Sequence, residues 1–199
     1  MKKNALEFLG RFTDAEEVEI LKVLNDLPAL SPEGPWLGGG AIRRTLIGMD
    51  IDSDFDFFFK DVDQFNCFKK QIEKDGAKKI NSNEHAETFI KRIHGKDRYI
   101  QLIRMGYYTS PESVIDSFDF TITQCAYDGT DFYFGEYTLW DIPRKKLALH
   151  KLTYGVATMR RLIKYTDQGF TACAGVMRSI LEAVVDNPGV IQSDVKYVD

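Results

Sequence analysis

The stretch GGGAIRRTLIGMDIDSDFDFFF, from Gly38 to Phe59, decides the fold predicted for the surrounding chain. It begins with a run of glycines, continues through a short apolar and basic segment, and ends in a run of phenylalanines. Between these segments lie aspartates at every second position, namely Asp50, Asp52, Asp54 and Asp56. This order of residue types predicts a glycine turn, a short helix and then a buried strand.

The strand predicted at Phe55–Phe59 explains the last two aspartates. Side chains alternate between the faces of a strand, so Phe55 and Phe57 point into the core while Asp54 and Asp56 share the other face. Two adjacent carboxylates repel each other and raise each other's pKa unless a cation lies between them. Mg²⁺ prefers carboxylate and phosphate oxygens, so the pair is a candidate metal site. The earlier aspartates, Asp50 and Asp52, are interpreted as acids of the preceding loop.

The glycine run predicts a phosphate-binding turn. Residues without side chains allow a phosphate to approach the backbone, and the N–H groups at the start of the following helix are free to bind it. Arg43 lies in the first turn of that helix, where a guanidinium can reach a phosphate oxygen. A glycine run alone usually marks only a turn, and an Asp-x-Asp pair is usually a solvated edge. Their order and spacing together favour a nucleotide site.

Composition and charge indicate the general class of protein. The chain has 199 residues, a net charge of −4 and 44% hydrophobic residues, which is typical of a globular protein. We expect a cytoplasmic protein with reduced thiols, because the three cysteines are far apart and form no metal-binding spacing. No apolar run is long enough to predict a membrane span, and we read no signal peptide at the start. Residues 141–178 contain eight basic and two acidic residues, so this region suits a polyanionic ligand, although a solvated helix face explains each cation singly.

The order of elements predicts an α+β fold, a mixed sheet with helices on one side and a short C-terminal helical extension. We expect a catalytic domain over residues 1–150 and a helical extension with a loose tail over 151–199. Thr13 and Glu16 suggest a capping box for a helix over about 13–27. We predict one strand over Phe118–Tyr127 and two helices near residues 153–166 and 171–185.

Two blocks of sequence carry a resemblance to a known family. The first is GGAIRRTLIG at residues 39–48 followed by DFD at 54–56, and the second is DFTITQCAYD at 119–128. A fainter third block is MRRLIKY at 159–165 followed by Gly169 and Phe170. Together they resemble the head domain of tRNA CCA-adding enzymes and bacterial poly(A) polymerases, within the DNA polymerase beta-like nucleotidyltransferase superfamily.

The resemblance implies a role for each block. Asp54 and Asp56 are expected to bind the catalytic Mg²⁺ or Mn²⁺ ions. The residues expected to hold an NTP are Gly39, Gly40, Arg43, Arg44, Arg160, Arg161 and Lys164. The implied reaction moves a nucleoside monophosphate from the NTP to an acceptor hydroxyl, with an RNA 3′ end or a tRNA-like molecule as the expected acceptor.

The sequence also departs from the family pattern. Arg44 replaces the family's aspartate, and the motif that selects C or A in CCA-adding enzymes is absent. The third carboxylate of the superfamily is expected near Arg98–Arg104, where Gln101 is the best-placed residue. Asp119 is a candidate replacement with a catalytic role, and the alternative is a buried structural acceptor.

Three functions remain open on the sequence. The first is a Mg²⁺-dependent nucleotidyltransferase. The second is an inactive descendant that binds a nucleotide or RNA, which Gln101 favours. The third is a toxin-like transferase that modifies tRNA or protein. Because the family's long RNA-binding body is not recognised here, we expect a partner protein or a homo-oligomer in its place.

Overall fold

The computed structural model describes residues 1–14, 17–152 and 155–186. Its strands are β1 Lys2–Asn4, β2 Trp36–Gly38, β3 Phe55–Phe58, β4 Lys78–Ser82, β5 Ala86–Ile93, β6 Lys96–Ile103, β7 Cys125–Tyr127, β8 Asp131–Phe134, β9 Lys146–Leu147 and β10 Thr171–Ala172. Its helices are α1 Ala5–Leu9, α2 Glu19–Asn25, α3 Gly40–Leu46, α4 Val62–Lys74, α5 Pro111–Asp116, α6 Thr138–Asp141, α7 Gly155–Asp167 and α8 Ala174–Asp186. A 3₁₀ turn covers Thr121–Thr123.

Eight strands form one mixed sheet in the order β1-β8-β7-β2-β3-β6-β5-β4. In the described part of the chain β3 and β6 pair in parallel, and the other neighbouring strands of this sheet pair antiparallel. The predicted α+β class and the mixed sheet are therefore confirmed. The structure places β3 at the centre of the sheet, between β2 and β6.

The alternation in β3 separates the two faces of the sheet. Phe55 and Phe57 are fully buried in the main core, to which α2, α3, α4, α7 and α8 also contribute side chains. Phe58 points to the opposite face, where it packs with Trp36 of β2 and Val114 of α5. The prediction that all helices lie on one side was therefore wrong, because α5 covers part of the second face.

Two element boundaries also differ from the prediction. The helix expected over about 13–27 is α2, which begins at Glu19, six residues after Thr13. Its buried side chains begin at the next residue, Ile20. Glu16 of the expected capping box lies outside the described residues. The strand expected over Phe118–Tyr127 is interrupted by the 3₁₀ turn. Two threonine hydroxyls form hydrogen bonds in this turn: Thr121 donates to the Asp141 side chain at Oδ2 at 2.7 Å, and Thr123 donates to the Phe120 carbonyl at 2.8 Å.

The C-terminal helices begin close to the predicted positions. α7 starts at Gly155 and α8 at Ala174, while residues 153 and 154 and the tail expected after α8 lie outside the described residues. Among the described helices, none is long and apolar enough to cross a bilayer.

The burial of β3 gives a stability prediction. Phe57 is fully buried and its ring centroid lies 4.8 Å from that of Phe68, so Phe57→Ala is expected to lower the free energy of unfolding by about 3–5 kcal/mol. Phe12 is 75% exposed, and Phe12→Ala is expected to cost less than about 1 kcal/mol. Urea denaturation of both variants measures the difference. Equal losses would show that β3 does not anchor the core.

Candidate active site

The two predicted metal ligands lie at the centre of the sheet. Asp54 directly precedes β3, and Asp56 lies within it on the face opposite Phe55 and Phe57. The strand register places Asp56 beside Gly38 on β2 and beside Gln101 on β6. Gln101 therefore occupies the position on the neighbouring strand where the sequence predicted the third carboxylate.

The glycine turn leaves open space next to Asp56. Gly39 has a φ of 75°, which residues with a side chain rarely adopt, and it forms the cap of α3. A Cβ atom at this position would lie 3.6 Å from Asp56 Oδ2, so the missing side chain frees the space in contact with the carboxylate. The turn and the carboxylates are therefore in direct proximity, as their order in the sequence suggested.

The carboxylate pair is electrostatically unfavourable without a cation. Burial, with a contribution from neighbouring Asp54, raises the pKa of Asp56 to about 7. Burial also raises the pKa of Asp54. Within the described residues neither carboxylate forms an ion pair. Two carboxylates held together in this way gain stability when a cation binds between them.

Positive charge reaches the pair from α7. Lys164 opposes the rise in the pKa of both Asp54 and Asp56, and Arg161 opposes it for Asp56. Both cations are exposed enough to meet a ligand, since half of the Arg161 side chain is accessible. The structure therefore brings together Asp54, Asp56, Arg161 and Lys164. Arg160 also lies on α7 and is partly buried.

Asp119 holds α7 in place. It is 6% exposed and accepts hydrogen bonds from Arg161 Nη1 at 2.8 Å and from Thr158 Oγ1 at 3.1 Å. Its backbone carbonyl accepts a further bond from the His150 N–H at 2.7 Å. These contacts are those of a structural acceptor, one of the two roles considered for Asp119, and its catalytic role stays a prediction.

The two arginines of the glycine motif form contacts within the protein. Arg43 is 2% exposed, donates to Gln168 Oε1 at 2.8 Å and stacks over the Tyr165 ring at 4.5 Å. Arg44 forms an ion pair with Asp52 and donates to the Asp50 carbonyl at 3.2 Å. Other nitrogens of the two guanidinium groups, Nε and Nη1 of Arg43 and Nε of Arg44, are buried without a hydrogen-bond partner among the described residues. That Arg43 and Arg44 bind phosphates therefore stays a prediction.

Arg98 supports the site and was not predicted from the sequence. Arg98 is 4% exposed, donates to the Ile51 carbonyl at 2.8 Å and forms an ion pair with Glu19. It therefore ties the loop before Asp54 to β6 and to α2. The signal was present in the alternation of β6, where Arg98 falls on the same face as the buried Ile100 and Leu102.

The donor set is compatible with a hard divalent cation. The described residues contain no group of three or more His, Cys, Asp or Glu that could hold a metal. Mg²⁺ in nucleotide sites commonly uses one or two carboxylates and takes its other ligands from phosphates and water. The carboxylates of Asp54 and Asp56 meet that requirement, with the Gln101 amide oxygen as the neighbouring neutral group.

Comparison with known protein families identifies one family that matches most of this chain. The model of the family described as "Gad2: Gabija anti-defense 2 family protein" matches residues 1–145. A curated relative from Bacillus phage SPbetaL7, "Gabija anti-defense 2", is 25% identical over 146 residues, which are 72% of this chain and 35% of the relative. The chain thus spans about a third of that relative's length.

Solved structures of CCA-adding enzymes share the architecture. The Thermotoga maritima enzyme complexed with tRNA has a TM-score of 0.61 and 16% identity, over 94% of this chain and 46% of the enzyme. A CCA-adding enzyme complexed with CTP has a TM-score of 0.61 and 15% identity, over 94% of this chain and 45% of the enzyme. At these identities the similarity establishes the nucleotidyltransferase-like fold.

The raised pKa of Asp56 predicts an unusual pH dependence. The folded protein holds this proton up to a pKa of about 7, whereas the ordinary value is 3.8, so protonated Asp56 stabilises the fold at low pH. That stability is lost as pH rises between the two values. At pH 8 we expect Asp56→Asn to be more stable than wild type by a few kcal/mol, since a difference of one pKa unit corresponds to about 1.4 kcal/mol.

Urea denaturation between pH 4 and pH 8 measures this difference. Mg²⁺ is expected to stabilise the wild type at pH 8 and to have little effect on Asp56→Asn. Asp63→Asn, at an exposed position on α4, is the matched control and should follow the wild type. A pH-independent difference between wild type and Asp56→Asn would contradict the unfavourable carboxylate pair.

Proposed function

The chain belongs to the Gabija anti-defense 2 family, and from this premise we propose that it is a Mg²⁺-dependent nucleotidyltransferase whose activity serves an anti-defense role. The observation that carries the proposal is the position of Asp54 and Asp56. They lie unpaired with any described cation, next to the Gly39 turn and within the electrostatic reach of Arg161 and Lys164. This arrangement suits a triphosphate with a divalent cation. The cation would neutralise the two carboxylates, and the phosphate oxygens would meet Arg161 and Lys164.

Each group has a distinct task in the proposed reaction. The turn at Gly39 and Gly40 gives the phosphates access to the backbone, and Arg161 and Lys164 bind their charge. Asp54 and Asp56 hold the cation, which supplies electrostatic stabilisation of the reacting phosphate. Asp119 orients Arg161 through their 2.8 Å ion pair.

The reaction transfers one nucleoside monophosphate. A bond forms between the acceptor oxygen and the α-phosphorus, and the bond from that phosphorus to pyrophosphate breaks. The acceptor hydroxyl loses its proton in the process. Gln101 has no basic group, so the proton passes to one of the two carboxylates.

An RNA 3′ end is the first acceptor to test. Residues 141–178 contain eight basic and two acidic residues, which suits a polyanionic acceptor. One CCA-adding enzyme of the same fold was solved with tRNA, and another was solved with CTP. The anti-defense name of the curated relative suggests that the acceptor belongs to the defence that the protein counters.

A transfer assay tests the proposal. The protein is incubated with Mg²⁺ or Mn²⁺, each α-labelled NTP in turn, and total RNA and protein from a bacterial host. We expect label to appear on an acceptor with wild type and with Asp63→Asn, and to fall at least 100-fold with Asp54→Asn/Asp56→Asn, since removing preorganised charge in an active site typically costs this much. Transfer that persists in the double variant would place the chemistry elsewhere.

Gln101 favours a second function, a non-catalytic nucleotide-binding protein. The residue lies beside Asp56 in the register of β3 and β6, and its neutral amide is a poor substitute for a carboxylate that ligates metal and accepts a proton. In this alternative, Mg²⁺ and NTP bind but no transfer follows.

Gln101→Glu distinguishes the two functions. If the wild type is an enzyme adapted to a neutral residue, the added carboxylate is expected to change its transfer rate by less than about tenfold. If the wild type is inactive because of Gln101, transfer appears only in Gln101→Glu. The second result would establish the non-catalytic alternative for the natural chain, and rates with a fixed NTP and acceptor pool measure it.

A further inference from the structure

The hydroxyl group of Ser53 is an unexplained polar group at the proposed site. Its Oγ atom is buried and has no hydrogen-bond partner in the described part of the chain. Buried hydroxyl groups are normally paired, and leaving one unpaired costs free energy. Ser53 directly precedes Asp54, so this unpaired group lies at the start of the metal-binding pair.

The glycine turn lies against this hydroxyl. A Cβ atom at Gly40 would be 3.4 Å from Ser53 Oγ, and one at Gly39 would be 3.6 Å from Asp56 Oδ2. The two missing side chains thus border the Ser53 hydroxyl and the Asp56 carboxylate. Within the described residues no group donates to this hydroxyl or accepts from it, so it is free to bond a ligand atom.

The loop that carries Ser53 is firmly held. Arg44 binds Asp52 and the Asp50 carbonyl, and Arg98 binds the Ile51 carbonyl. The three residues before Ser53 are therefore each fixed by an arginine. Ser53 as a whole remains partly exposed, so its hydroxyl can turn outward by changing rotamer without moving the loop.

We propose that Ser53 donates its hydroxyl proton to a phosphate oxygen of the bound nucleoside triphosphate, across the space left open by Gly40. This inference rests on the proposed function and names a ligand residue that the motif does not contain. A phosphate oxygen supplies the acceptor that the protein lacks at this point. It also explains why a serine, whose Oγ atom is buried without a protein partner, lies beside a glycine here.

Calorimetric titration with Mg²⁺–ATP, Mg²⁺–CTP and inorganic tripolyphosphate tests the proposal. Ser53→Ala is expected to weaken the binding of all three by about tenfold, as for the loss of one hydrogen bond to a charged group. Ser53→Thr keeps the hydroxyl and should recover most of the affinity. Ser82→Ala, at an exposed position on β4, is the control and should bind as the wild type does.

Thermal unfolding of the same variants separates this role from a structural one. Because the hydroxyl has no protein partner, Ser53→Ala is expected to have an unchanged or slightly higher Tm. Unchanged affinity with a lowered Tm would overturn the proposal and assign the hydroxyl to the folded state, through a bound water. Unchanged affinity with an unchanged Tm would overturn it too. If the wild type binds none of the three ligands, the proposed function itself fails and this inference fails with it.

Discussion

The burial of Phe55 and Phe57 in the central strand β3 is the constraint on which the rest of the site depends. Because side chains alternate along a strand, burying these two rings places Asp54 and Asp56 together on the opposite face. The core thereby maintains an arrangement of like charges that the carboxylates alone would not adopt. Burial and repulsion from Asp54 raise the pKa of Asp56 to about 7. A bound cation would favour the charged carboxylates and so offset both effects.

Three arginines near β3 form contacts that hold the loop before Asp54 and helix α3. Arg44 and Arg98 fix the loop before Asp54, while Arg43 is buried between α3 and α7. Arg161 and Lys164 of α7 place positive charge near Asp56, and Asp119 ties this helix to the 3₁₀ region of the chain. The arginines that hold the loop and the cations of α7 thus come from separate elements. Folding brings the glycine and aspartate block at residues 39–56 next to the basic block at 159–165.

The sequence predicted the parts of this site that follow from local pattern. Strand alternation predicted the shared face of Asp54 and Asp56, and family resemblance predicted the place of Gln101, which the register of β3 and β6 sets beside Asp56. The orientation of Arg43 and Arg44 was not predictable, because it depends on Gln168 and Asp52, whose positions come from tertiary packing. The same holds for the 3₁₀ turn, where Thr121 bonds to Asp141 across the fold. The division of the chain at residue 150 stays a prediction.

The central claim is that Asp54 and Asp56 hold a divalent cation together with a nucleoside triphosphate. Crystals grown with Mn²⁺ and a non-hydrolysable NTP analogue test it directly, because anomalous diffraction locates the metal independently of the nucleotide. We expect an anomalous peak in contact with both carboxylates and with phosphate oxygens beside Gly39 and Gly40. A nucleotide and metal bound elsewhere, with Asp54 and Asp56 contacting neither, would contradict it.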